Sequence, residues 1–92
     1  MEMQIINEEG FFRGLGFKKH TMEYRFGARV CFESPSGHFF RIDHFSDMYV
    51  IEFAENEAEA SRNMFEDGNC YRDDTPMEEL VEEIQQAILS DE

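Results

Sequence analysis

The sequence predicts an α+β fold: an antiparallel four-stranded β-meander packed against two C-terminal helices, with a short helix at the N-terminus. Three observations lead there. Between Thr21 and Phe53 apolar residues alternate with polar ones in short runs separated by turn residues, the period-2 signature of half-buried strands. Past Ala54 the spacing of apolar residues becomes helical. Thr75-Pro76-Met77-Glu78 then combines a Thr cap, a Pro at the first helical position and a Glu at the third, which is how helices begin.

Taken in order, the first seventeen residues hold Ile5, Ile6, Phe11, Phe12, Leu15 and Phe17 in no single helical stripe, interrupted by Gly10, Gly14 and Gly16. A short helix running into a "GLGF" turn is expected. In "TMEYRF" (residues 21–26) Met22, Tyr24 and Phe26 share one face; in "GARVCFES" (27–34) Ala28, Val30 and Phe32 do, opposite Arg29, Cys31 and Glu33. Gly27 turns the first pair, and "SPSG" (34–37) the second. "HFFRIDHF" (38–45) and "MYVIEFA" (48–54) complete the meander, with Glu52 expected to point outward, opposite Tyr49, Ile51 and Phe53. One face of such a sheet is packed and the other partly wet. Asn56, with Glu59 three residues on, caps a helix expected to run to a "DG" stop at Asp67-Gly68, where Gly68 can take a left-handed conformation. In the last helix Met77, Leu80, Val81, Ile84, Ala87 and Ile88 form one stripe, and Glu and Gln fill the remainder.

At 92 residues the chain is one domain, residues 1–92. A chain of that length buries roughly 60–65% of its unfolded surface. Ten Phe and six Met, with no Trp, imply a core built from Phe rings with Met filling irregular gaps. "MEMQIINEEG" carries acids where a secretory leader would carry Lys or Arg, and the longest clean apolar run is "MYVI", far short of a membrane span. A cytoplasmic location is expected, and with it reduced thiols at Cys31 and Cys70.

The net charge of −13 is unevenly spread. Residues 1–51 hold seven acids and six bases, a balance of −1. Residues 52–92 hold fourteen acids against Arg62 and Arg72, a balance of −12. That field repels phosphate backbones and anionic lipid and attracts cationic proteins. Neither nucleic acid nor membrane is an expected partner; a basic protein is.

Motifs for chemistry are missing. An EF-hand loop counted from Asp67 places Arg72 where glycine must stand. Cys31, His38 and His44 match no closed zinc spacing. They serve a Cys–His nucleophile only if the fold brings them together, and surface histidines with a half-exposed strand Cys are the expectation. Glycine-rich "GFFRGLG" lacks the Lys-Ser/Thr ending of a phosphate loop. No metal site, cofactor or catalytic residue is expected.

The feature left is the acidic stretch Phe65 to Glu83, with Glu66, Asp67, Asp73, Asp74, Glu78, Glu79, Glu82 and Glu83 opposed only by Arg72. Glu78–Glu82 and Glu79–Glu83 are like-charge pairs at i,i+4, each costing about 0.2–0.5 kcal/mol. Asp91 and Glu92 follow at the end of this helix, where its dipole favours cations. A face that accepts this repulsion is suited to a positive partner, and all eight carboxylates are candidate partner-binding residues.

The "YVIEFAENEAEA" junction and the acidic "FEDGNCYRDDTPMEELVEEI" tail give residues 20–92 the look of a small acidic α+β domain. The chain resembles the immunity proteins of bacterial polymorphic-toxin and contact-dependent inhibition systems. The resemblance implies a non-enzymatic domain that inhibits a basic toxin or nuclease in a one-to-one complex. Two alternatives stand beside it: a regulatory module that dimerises through exposed Phe39 or Phe45, and a small Cys/His-dependent enzyme.

Overall fold

In the computed structural model, which describes residues 7–90, the elements run α1 (Glu8–Gly14), β1 (Lys18–Tyr24), β2 (Gly27–Glu33), β3 (Phe39–Phe45), β4 (Met48–Ala54), α2 (Glu57–Ser61), β5 (Glu66–Arg72) and α3 (Met77–Ser90). The strands form one antiparallel sheet in sequence order, β1-β2-β3-β4-β5. The α+β class and the meander follow the sequence reading, and the expected N-terminal helix and "GLGF" turn are present. Asn7 caps α1 by accepting from the Gly10 N–H at 3.0 Å, acids fill its first turn and Arg13 its last, all favourable to the helix dipole. Gly16 then turns the chain at φ +84°, a conformation that suits a residue without Cβ. Ile5 and Ile6 lie outside the described residues.

The fifth strand corrects the expectation of a four-stranded sheet and of a helix running from Asn56 to the Asp67-Gly68 stop. Asn56 does cap a helix, accepting from the Glu59 N–H at 2.9 Å. That helix ends after Ser61, and Asn63 stands at φ 60°, which breaks the helical path. Gly68 is therefore no helix stop. It lies inside β5 without a positive φ. Alternation failed to reveal β5 because the strand is bulged: Val50 pairs with Cys70 but Glu52 pairs with Asp67. The extra residue puts Glu66 and Tyr71, five apart, opposite Phe53 and Tyr49 of the same face.

The sheet is covered on both faces. On one, Phe32, Phe40, Ile42, Tyr49 and Ile51 meet Phe12 of α1 and Leu80 and Ile84 of α3. Phe12 is fully buried and stacks on Phe32 with ring centroids 4.9 Å apart. On the other, Met22, Cys31, Phe39 and Ala54 pack beneath Ala60 of α2. That second layer reverses several expectations of a wet face. Cys31 and Glu52 are buried where outward positions were expected, and Phe39 is 1% exposed. Phe26 is instead 66% exposed, because β1 stops at Tyr24 and Arg25-Phe26 form the turn to Gly27.

β2 and β3 are not a full ladder. They pair only at Phe32–Phe40 and Glu33–Phe39, whereas β1–β2 and β3–β4 each pair along their whole length. Glu8, at the start of α1, reaches the opening and accepts from the Ile42 N–H at 2.6 Å, so a side chain satisfies a backbone donor left by the parted strands.

Candidate functional site

The eight acids divide by element. Glu66 and Asp67 are exposed on the edge strand β5; Asp73 and Asp74 lie in the connection, where Asp74 stands 3.9 Å from Arg72 with both side chains largely exposed. Glu78, Glu79 and Glu82 are exposed on α3, which has no base in its last turn. Glu83 differs from its neighbours. Its carboxylate accepts from the Tyr71 hydroxyl and from the Asn69 N–H at 3.3 Å, clamping α3 to β5. Burial and the bond to Glu83 both raise the Tyr71 pKa above its ordinary value, burial being the larger cause. Gly68 is needed for this clamp, since a Cβ there would collide with the Glu83 carboxylate.

Two open grooves run along the acidic helix. One, of about 350 Å³, lies between β5 and α3 and is lined by Asn69, Tyr71, Glu79, Glu82, Glu83 and Gln86. The other, of about 440 Å³, is lined by Met77, Glu78, Val81, Glu82 and Gln85. The apolar stripe of α3 explains the second. Leu80 and Ile84 are buried against the sheet, while Met77 remains 37% exposed at its margin.

A second cluster was not legible in the sequence. Arg41 and Glu52, directly opposed on β3 and β4, form a buried ion pair through Arg41 Nε and the Glu52 carboxylate. The guanidinium carbon lies 3.9 Å from the centre of the Phe65 ring, a cation–π contact in a desolvated place. Arg41 Nη1 is buried with no hydrogen-bond partner among the described residues. The Tyr24 hydroxyl, which donates to the Ala60 carbonyl, tethers β1 to α2 on the same face. Glu8 approaches this cluster through the opening between β2 and β3. Burial raises its pKa, against the lowering effects of the Ile42 N–H, Arg29 and Arg41. Arg29 stands 3.8 Å from Asp43 across the same opening. The only available signal was Glu52 within "YVIEFA", and periodicity alone pointed it outward.

Cys31, His38 and His44 are not brought together. Cys31 packs with Met22 and Phe39, whereas His38 stacks on Phe53 of the opposite face and bonds through Nδ1 to Ser36 Oγ at 2.7 Å. His44 is exposed and stacks on Tyr49. Burial pushes the Cys31 thiol up to about 11, opposite to what a thiolate nucleophile requires. Cys31 and Cys70 are both free thiols. Among the described residues no three His, Cys, Asp or Glu side chains form a metal-sized group, and no helix is long and apolar enough to cross a membrane.

No protein-family model, curated protein or solved structure matches this chain.

Proposed function

We propose that this chain is a non-enzymatic protein-binding domain, an immunity-type inhibitor that covers a basic toxin or nuclease with its acidic C-terminal surface. One observation carries the reading. Glu78, Glu79 and Glu82 project from α3 into two open grooves, and no Lys or Arg lies on that helix. Unlike Glu83, these three accept no described hydrogen bond that explains them as structural. Solubility alone is served as well by mixed signs, and i,i+4 repulsion is a cost that mixed signs avoid. A cationic partner converts that cost into attraction and speeds encounter.

The test is co-expression with the product of the adjacent gene, followed by affinity measurement over a salt series. The expected result is growth rescue by the native chain. Affinity should fall steeply with salt, and at least tenfold in a Glu78→Gln, Glu79→Gln, Glu82→Gln variant. Undiminished binding by that variant would remove the acidic helix from the interface. A homodimer is the second reading. Phe39 is buried and drops out, but Phe45 is 48% exposed at the β3–β4 turn and Phe26 is 66% exposed at the β1–β2 turn. Sedimentation of the native chain and of a Phe26→Ser, Phe45→Ser variant distinguishes it.

A further inference from the structure

We propose that the acidic surface takes its basic partner as an extended strand added to the open edge of β5. This rests on the basic-partner reading and specifies its mode. Among the described residues β5 is the last strand of the sheet, and six of its seven residues are exposed, whereas β4 beside it is largely buried. The Asp73 N–H bonds the Asp47 carbonyl at 2.9 Å. This sets the alternation of the antiparallel ladder. With Met48 opposite Arg72 and Val50 opposite Cys70, residues 70 and 72 occupy the positions whose backbone groups turn away from β4. The Arg72 carbonyl is already held by the Thr75 N–H at 3.0 Å. The Cys70 N–H and C=O and the Arg72 N–H remain directed outward, the groups through which an edge receives another strand.

The charge decides the occupant. Side chains of an added strand alternate between the two faces. On the α3 face every second one enters the groove formed by Asn69, Tyr71, Glu79, Glu82, Glu83 and Gln86. Three carboxylates in that groove suit Lys or Arg at alternate positions. A second copy of this chain is a poor occupant, because each copy brings a net charge of −13. The opposite edge, β1, is blunted by Lys18 and Lys19, the latter held 3.1 Å from Glu9; edge lysines of this kind discourage pairing. β5 has no lysine.

The experiment uses the full chain with acetyl-Thr-Lys-Thr-Lys-Thr-Lys-Thr-amide and the same peptide N-methylated on every residue. The two have equal charge, and only the first can donate from the N–H of each residue along its length. Calorimetry at low salt should show the methylated peptide binding at least tenfold more weakly. Amide NMR shifts should centre on Cys70 and Arg72, and Glu79→Gln with Glu82→Gln should weaken the unmethylated peptide. Equal binding of both peptides overturns strand addition while leaving the acidic surface as a charge-only interface. No binding of either overturns both this mode and the basic-partner reading. Concentration-dependent self-association abolished by Cys70→Pro assigns the edge to a second copy and overturns the basic occupant.

Discussion

The two faces of the sheet are held by different physics. One is an aromatic layer in which Phe12 of α1 stacks on Phe17, Phe32 and Phe40, closed by Leu80 and Ile84 of α3. The other has a charged pair at its centre, Arg41 with Glu52, on the face that carries the five-residue α2, with Phe65 against the guanidinium. Apolar burial is additive and non-directional, so the first face tolerates changes of shape that keep volume. A buried ion pair depends on both partners being present. A short helix with few apolar residues suffices over the second face because the pair and the Tyr24–Ala60 bond supply directional contacts there.

The largest expected effect comes from breaking the pair. Arg41→Ala should cost about 3–5 kcal/mol in urea unfolding, since it strands Glu52 in a desolvated site. The double change Arg41→Met with Glu52→Leu should recover most of that loss. A double variant as unstable as the single would show that the pair itself, and not only the stranding of Glu52, holds this face. On the aromatic side, Phe12→Ala should cost about 3–5 kcal/mol through the cavity it leaves. Phe12→Leu should recover part of that loss.

Gly68→Ala should cost about 1–2 kcal/mol by displacing Glu83 and stranding its hydrogen bonds. Amide exchange would locate the loss at Asn69 and Tyr71. Glu8 links the two faces and gives a pH test. Its pKa in the folded chain lies above the ordinary 4.5, because burial penalises the charged form. The folded state therefore holds the extra proton, and the Glu8 contribution is fully present below 4.5 and is lost as pH rises through the raised value. Glu8→Gln should abolish that component, so the stability of the native chain relative to the variant should fall with rising pH in this window. The smallest effect is on α3, where Glu82→Gln removes one like-charge pair and should stabilise by about 0.2–0.5 kcal/mol.

Much of this was legible locally. The turn at 34–37, the Asn56 cap and the Leu80–Ile84 stripe depend on neighbours a few residues away, and the chain reveals them; the first hairpin was legible too, but its turn falls at Arg25-Phe26, just before Gly27. β5 was hidden because one bulged residue destroys alternation and an edge strand buries little beyond Tyr71. Among the acids, the sequence showed how many there are but not their separate duties. Only the fold distinguishes Glu83, bonded to Tyr71, from Glu82 one residue earlier, which faces open grooves.

By itself, then, the sequence determined the α+β class, the meander of the first four strands, the start of α2 at its Asn56 cap, and the concentration of negative charge after residue 51. Those are consequences of period, turn chemistry and composition. The tertiary structure alone decided that Glu52 turns inward to Arg41, that Glu8 enters the gap between β2 and β3, and that β5 ends the sheet of described strands beside the acidic groove. Each of these joins residues at least eleven positions apart or depends on which strand ends the sheet, and such placement is fixed by packing rather than by local pattern.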